Sequence, residues 1–350
     1  MAHAALRAFA QRLSVAAFVL MAAPSATVSA QTPGWAETDR LVAVGDLHGD
    51  YDAFLHIMSE AGLIDSRGRW SGKKTVFVQM GDAVDRGAKS RDIVLALQRL
   101  QGEASRAGGK VIALIGNHEA MNVTGDLRYV PPAEYQNYVS RDSRALRERV
   151  FRAHKSELSA SYRQANAEMS DADVKAKFFS ECPLGYIEHR RAWSLEGEFG
   201  RWILSNPAVA VVGDNLLVHG GISAKYAVDS VAQLNDMVHA ALRTTSTADA
   251  AILEDEAGPL WYRGLAAEGE MSVKDVGEIL KAYSVKRIVI AHTPNLVGIK
   301  VLDQGRVILI DTGIAAAYGG VRSFLSIEGA SIYAHDGSRV TELTSSEFRP

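Results

Sequence analysis

Three short motifs constrain this chain more than any other feature. Each is a glycine followed by a polar residue at the end of an apolar, β-rich run. Leu41-Val42-Ala43-Val44 ends at Gly45-Asp46, the run from Thr75 to Met80 ends at Gly81-Asp82, and Val111 to Ile115 ends at Gly116-Asn117. Between the runs the apolar residues change to helical spacing. Asp50 to Leu63 carries Phe54, Ile57, Met58 and Ala61, and Ser90 to Ala107 carries Ile93, Val94, Leu97 and Leu100 before Gly108-Gly109 stops it. The pattern predicts βαβαβ, with a parallel sheet. In open α/β sheets the ligand crevice lies at the carboxyl ends of the strands. Asp46, Asp82 and Asn117 follow one another at intervals of one strand–helix unit with its loops, so they should converge in space.

Strand signals return later, again with chemistry at their ends. Asn215–Val218 ends at His219, Arg287–Ala291 at His292, and Arg306–Ile310 at Asp311; Phe324–Ile327, Ser331–Ala334 and Val340–Leu343 read as a closing antiparallel set. Residues 126–202, rich in Glu, Arg, Lys and Ala after Pro131-Pro132, read as a mostly helical insertion in a single domain spanning 38–345. The whole chain has 350 residues, 47% hydrophobic and 23% charged, which excludes disordered, collagen-like and polytopic membrane classes. Its formal charge of −3 gives no basic field for nucleic acid, and none is expected as a partner. The one cysteine, Cys182, excludes an intrachain disulfide.

Residues 1–30 have the composition of a signal peptide. Arg7 and Arg12 form a basic start without acids, Leu13 to Ala23 an apolar run, and Val28-Ser29-Ala30 a small-residue cleavage site. The run is short for a bilayer span. A periplasmic or secreted product without stable membrane insertion is expected; an uncleaved N-terminal anchor is the alternative.

The strand-end residues suggest a metal centre. Asp46, His48, Asp82, Asn117, His219 and His292 are oxygen and nitrogen ligands suited to Mn, Fe or Zn and poor for soft metals. Asp82, on the middle strand, is the natural carboxylate to bridge two ions, which would also share a hydroxide. Two divalent or trivalent ions outweigh these carboxylates, so the pocket favours an anionic substrate such as a phosphate ester. Arg86, close after Asp82, offers the paired donors that phosphate oxygens accept. His118 adjoins Asn117, so the two cannot point alike; it reads as a general acid for the leaving group, oriented and kept protonated by Asp85.

Gly45-Asp46-Leu47-His48-Gly49, Gly81-Asp82-Ala83-Val84-Asp85-Arg86-Gly87 and Gly116-Asn117-His118-Glu119 resemble the signature motifs of calcineurin-like metallophosphoesterases. The Val-Asp-Arg-Gly ending is similar to the phosphoprotein phosphatase branch. Gly258-Pro259-Leu260-Trp261-Tyr262-Arg263-Gly264 resembles the bacterial-type Shewanella-like phosphatases. The resemblance implies an αββα sandwich of two mixed sheets. It implies one metal at Asp46, His48 and Asp82 and a second at Asp82, Asn117, His219 and His292. It pairs His118 with Asp85 and adds Arg263 to Arg86 as a phosphate ligand. Two features depart from the eukaryotic serine/threonine enzymes: Ile115 replaces the arginine before Gly-Asn-His-Glu, and Asp311-Thr312-Gly313-Ile314 with Tyr318-Gly319-Gly320 replaces their last loop. The resulting expectation is an exported phosphomonoesterase, using direct attack by a metal-bridging hydroxide on phosphoprotein, phosphotyrosine or small aryl phosphates. The alternatives are a nucleotide or dinucleotide polyphosphate hydrolase, and a non-catalytic metal- or phosphate-binding protein.

Overall fold

The computed structural model describes residues 39–244, 250–267 and 273–343; the segment 1–30 read as a signal peptide lies outside them. The described chain forms two compact units, residues 121–201 and the remainder.

The α/β unit starts with β1 (Arg40–Val44), α1 (Tyr51–Glu60), β2 (Val76–Gln79), α2 (Ser90–Arg106), β3 (Lys110–Ala113) and the first half of α3 (Asn117–Thr124). Asp50 caps α1 by accepting from the Ala53 N–H, so the first motif runs directly into a helix start. β1, β2 and β3 are parallel neighbours, with Leu41 opposite Val76 and Val76 opposite Lys110. All their interior residues are buried, the pattern of strands covered on both faces.

The helical unit contains α4 (Pro132–Gln136), α5 (Ser143–Ala165), α6 (Asp171–Glu181), α7 (Tyr186–Trp193) and the start of α8 (Glu198–Ile203). Its core joins Leu146, Val150, Phe151, Val174, Phe178, Cys182 and Ile187. Ser170 and Asp173 form a reciprocal capping box that fixes the start of α6. Cys182 is buried there, and burial raises its thiol pKa, which keeps it an inert apolar residue.

The α/β unit resumes with β4 (Val209–Val212), β5 (Asn215–Val218), α9 (Val231–Arg243), α10 (Val273–Ala282) and β6 (Arg287–Ile290). It ends with β7 (Lys300–Leu302), β8 (Val307–Leu309), β9 (Ser323–Glu328), β10 (Ser331–Asp336) and β11 (Arg339–Glu342). One sheet has the order β11-β10-β9-β1-β2-β3, the other β4-β5-β6-β8-β7, and both mix parallel and antiparallel pairs as expected. Between them Leu41, Ala43, Val78 and Ile112 of the first sheet meet Leu217, Val289 and Ile308 of the second in one core. Alternate residues along each strand make this face, the period-2 signature of a strand.

The parallel strands of both sheets deliver their carboxyl ends to one place. There the backbones touch. A Cβ on Gly45 would lie 2.5 Å from the Ile310 carbonyl oxygen, across the two sheets. The first and second motif loops meet equally closely: a Cβ on Gly87 would lie 2.5 Å from the His48 carbonyl oxygen, and one on Gly49 2.5 Å from that of Gly87. Gly87 N–H donates to the His48 carbonyl at 2.9 Å and Lys89 N–H to that of Gly49 at 3.2 Å. The closing glycines of these motifs therefore exist to let two loops lie against each other.

Gly87→Ala tests this directly. The methyl group has backbone rather than side chain in its way, so the loops must part, at a cost of roughly 1–3 kcal/mol. We expect a folded protein with a lowered melting temperature, reduced metal content and turnover reduced by more than about tenfold, a rate factor worth about 1.4 kcal/mol. Wild-type turnover in this variant would show that the loop contact does not set the site.

Candidate active site

The site grows from the turns that end β1, β2, β5 and β6, together with the first turn of α3. Five of its residues have left-handed backbones: His48, Asp82, Asp85, Arg86 and His292, with φ of 44°, 53°, 71°, 63° and 63°. Such conformations are unfavourable for residues with a Cβ and persist only where the surroundings impose them. The impositions are visible. Leu47 and His48 N–H groups both donate to the Asp82 carbonyl, at 3.0 and 2.9 Å. Gln79 folds back on its own loop, donating to the Gly81 carbonyl at 2.6 Å and accepting the Gly81 N–H at 3.1 Å.

Glu119, buried in the first turn of α3, ties the second and third motifs together. Its carboxylate accepts three backbone N–H groups, from Asp82 at 2.8 Å, Ala83 at 2.9 Å and Gly116 at 2.9 Å. Asp82 in turn accepts the His118 N–H at 3.0 Å, at the positive end of the same helix.

Asp82 lies at the middle of the cluster. Its carboxylate is 3.3 Å from His219 Nε2, 3.9 Å from His48 Nε2 and 3.8 Å from His118 Nε2. Asp46 is 3.7 Å from His48 Nε2 and 3.8 Å from His219 Nδ1, and accepts the His292 N–H at 3.3 Å. Asn117 Oδ1 lies 3.0 Å from His219 Nε2. The second-sheet histidines stack edge to face at 4.9 Å between ring centroids. The structure thus gathers Asp46, His48, Asp82, Asn117, His219 and His292, which the sequence separates widely.

The imidazoles are oriented by their other nitrogens. His48 Nδ1 donates to the Val84 carbonyl at 3.0 Å and His219 Nδ1 to that of Met80 at 2.9 Å, leaving each Nε2 facing the carboxylates. His292 Nε2 is buried without a hydrogen-bond partner. His118 differs: its Nδ1 meets a carboxylate, Asp85 Oδ2, at 2.7 Å.

Electrostatics separate these roles. Burial pushes His48 down to about 3 and His292 to about 2, so both are neutral lone-pair donors. For His118 burial also opposes the charge, but the carboxylates of Asp82 and Asp85 outweigh it and raise the pKa above the ordinary histidine range. Burial likewise opposes charge on Asp82, yet His219 and His118 hold it well below the usual carboxylate range. Asp46 is pushed up, first by burial, then by the carboxylates of Asp311 and Asp82. Glu119 and Asp311 are raised too, chiefly by burial.

This donor set fits metal ions. Four buried carboxylates, Asp46, Asp82, Glu119 and Asp311, crowd one another. Among the described residues no lysine or arginine pairs with Asp46 or Asp82; their ion-pair partners are histidines. Metal ions held here would offset that negative charge and give His292 Nε2 a partner. Two groupings of side chains lie close enough together to face an ion each, His48–Asp82–His118 and Asp82–His219–His292, and they share Asp82. His118, whose ring is engaged by Asp85, borders the first, where Asp46 lies 3.7 Å from His48 Nε2.

The two arginines flank the cluster. Arg86 is exposed within the second motif, its guanidinium 5.2 Å from the Tyr318 ring, which is itself 5.5 Å from the His48 ring. Arg263 is exposed on the side of His292 and donates to Thr293 Oγ1 at 3.2 Å. Its loop is fastened to the His219 turn, because Gly220 N–H donates to the Pro259 carbonyl at 2.8 Å. Trp261 packs edge to face on His292 at 5.5 Å. Sequence reasoning gave no role to Glu119, Asp311 or Tyr318. Glu119 stood inside a quoted motif, and Asp311 ended a predicted strand in the manner of Asp46; Tyr318 had no such signal.

Comparison with known proteins agrees with this geometry. The calcineurin-like phosphoesterase family model matches residues 39–296. Shewanella-like protein phosphatase 2 of Arabidopsis thaliana is 32% identical over 311 residues, spanning 86% of this chain and 78% of its own length. An uncharacterized protein of Schizosaccharomyces pombe is 31% identical over 296 residues, 81% of this chain and 76% of the other. A cold-active protein-tyrosine phosphatase from a psychrophilic Shewanella shares the fold, with a TM-score of 0.67 at 24% identity over 92% of this chain and 87% of its own. The matching motifs, sheets and relatives converge: the chain belongs to the calcineurin-like phosphoesterases, in the Shewanella-like protein phosphatase branch, and is a metallophosphatase.

Proposed function

We propose that this chain is an exported phosphomonoesterase acting on phosphoproteins, with phosphotyrosine and other aryl phosphates as its preferred esters. The observation that carries the monoester reading is the His118–Asp85 pair. It places an imidazole whose protonated form is favoured by neighbouring carboxylates next to the carboxylate that joins both ligand groupings. A phosphate ester needs a proton donor where its leaving oxygen departs. One ion is assigned to Asp46, His48 and Asp82, the other to Asp82, Asn117, His219 and His292; Mn, Fe and Zn all suit these ligands. When bound, the ions supply Lewis acidity toward phosphoryl oxygens and a water that is nucleophilic at neutral pH.

The protein's own residues do the rest. Asp82, held well below the usual carboxylate range, keeps negative charge on the enzyme side. Arg86 and Arg263 offer guanidinium donors to the non-bridging phosphate oxygens from two sides, where arginine gives paired hydrogen bonds. Asp85 fixes the His118 tautomer, so Nε2 carries the proton given to the leaving oxygen. The aryl preference draws support from Ile115, apolar and fully buried where the serine/threonine enzymes have a phosphate-binding arginine, and from the Tyr318 ring beside His48. The phosphoprotein reading draws support from the Arabidopsis relative, a protein phosphatase by name.

Asp82→Asn should lower metal occupancy and turnover together, because one anionic side chain serves both groupings and an amide cannot. Elemental analysis beside kinetics reads this out. Two tightly held metals with near-normal turnover would remove Asp82 from the centre.

His118→Asn should leave metal content unchanged and lower turnover about 10²–10⁴-fold on alkyl phosphates. The loss should be smaller on nitrophenyl phosphate, whose leaving group needs little protonation. The working form is the imidazolium, so turnover falls as pH rises through the His118 pKa. Asp85→Asn removes a carboxylate that raises that pKa, and should move the alkaline limb to lower pH. Equal losses on both esters, with an unmoved limb, would make His118 structural.

Export is supported by the basic, apolar and small-residue order of residues 1–30. Among the described residues no helix is long and apolar enough to cross a membrane. The mature protein should begin near Gln31 and be found outside the cytoplasm. N-terminal sequencing from the native host checks this, and an uncut, membrane-held chain would contradict it.

A further inference from the structure

The turn after His292 carries a feature that the metal centre does not use. Gly298 N–H donates to the Asn295 carbonyl at 3.3 Å and closes a four-residue turn, with Leu296 and Val297 as its two central residues. Gly, Pro, Asn, Asp and Ser dominate such positions for conformational reasons. Here both are aliphatic, and they are exposed by 46% and 77% of their surface.

The turn is braced on several sides. Asn295 Nδ2 donates to the Gly298 carbonyl at 2.7 Å, Asn295 N–H to the Asp311 carbonyl at 2.9 Å, and Ile299 N–H to Asp336 Oδ1 at 2.9 Å. It is also continuous with both walls of the site. On one side Thr293 accepts from Arg263. On the other, Leu296 and Tyr318 both crowd the open face of Gly313, and Tyr318 lies against His48.

A rigid turn that holds two aliphatic side chains in water gains nothing for the fold from their exposure. We propose that Leu296 and Val297 form a substrate platform, which receives an apolar side chain next to the phosphorylated residue of a polypeptide. The occupant is a phosphorylated peptide segment. Its phosphate is drawn to Arg263, and the adjoining aliphatic or aromatic side chain lies on the turn. A small aryl phosphate has no such neighbour and does not use the platform. This inference rests on the phosphoprotein reading above and adds a local sequence preference to it.

The test compares wild type, Val297→Asn, and a Leu296→Ser/Val297→Asn double variant, all with residues that turns accept. Three substrates are used: a phosphotyrosine peptide with leucine beside the phosphotyrosine, the same peptide with serine there, and nitrophenyl phosphate. Wild type should favour the leucine peptide through a lower KM. In the double variant kcat/KM on that peptide should fall about tenfold, the order expected when partial burial of two aliphatic side chains is lost. Turnover of the serine peptide and of nitrophenyl phosphate should be unchanged. Val297→Asn, altering the more exposed residue, should give part of the effect without touching Gly313 or Tyr318. A preference that survives in the double variant, an equal loss on nitrophenyl phosphate, or no wild-type preference between hydrolysed peptides would overturn the platform alone. Hydrolysis of nitrophenyl phosphate with neither peptide attacked would overturn the phosphoprotein reading and the platform together.

Discussion

The buried knot between Asp82 and Glu119 is the interaction on which the rest of the site depends. Glu119 spends its carboxylate on three backbone N–H groups drawn from two motif loops. That fixes the backbone of Asp82 in a left-handed conformation and leaves its carboxylate free to face three imidazoles. The knot acts together with the Leu47 and His48 N–H groups on the Asp82 carbonyl to hold φ at 53°. A hydrogen bond of this kind contributes about 0.5–1.5 kcal/mol net, and more where the acceptor is charged. Three such bonds are enough to hold one strained residue, which costs on the order of 1–3 kcal/mol.

From that knot the division of labour among the histidines follows. All four imidazoles at the centre are buried, and burial alone would leave each neutral. What separates them is the group on the other side of the ring or beside it. A carbonyl oxygen behind His48 orients it without charging it, so it stays a lone-pair donor. At His118 the carboxylates of Asp82 beside the ring and Asp85 behind it together raise the pKa. His219 also has a carbonyl behind it, yet Asp82 raises its pKa, so the partner behind the ring sets orientation while the carboxylates beside it decide the charge.

The sequence was legible wherever a residue's role follows from its place at a strand end. Asp46, Asp82, Asn117, His219 and His292 could be read that way because a parallel α/β sheet has only one edge where chemistry gathers. The two mixed sheets were expected from the resemblance, and the closing antiparallel set from its own alternation. β4 and β7, both edge strands of the second sheet, were not read. Both pair antiparallel with their neighbours, so neither ends at the edge where His219, His292 and Asp311 marked β5, β6 and β8, strands no longer than these. Glu119 was hidden for another reason: its partners are backbone N–H groups, which no side-chain pattern reveals. Tyr318 reaches His48 through the fold of a loop whose residues carry no periodicity at all.

The placement of strain and of exposed apolar surface follows one logic. His48, Asp82, Asp85, Arg86 and His292 hold unfavourable backbone conformations where two sheets and three loops over-determine them. Leu296 and Val297 hold apolar surface in water where hydrogen bonds from Asn295, Gly298 and Ile299 leave the turn no freedom to hide it. In both places the scaffold stabilises an arrangement that the local sequence would not choose. Residues with a Cβ disfavour the left-handed region, and exposed aliphatic side chains would gain from burial. The energy that outweighs both comes from the core between the sheets, where Leu41, Val78, Leu217, Val289 and Ile308 are almost fully buried. Each such side chain contributes roughly 1.5–3 kcal/mol, so a few of them offset one strained ligand turn. The sandwich therefore does more than carry the strand ends to one edge: its buried area sets how many unfavourable residues that edge can hold.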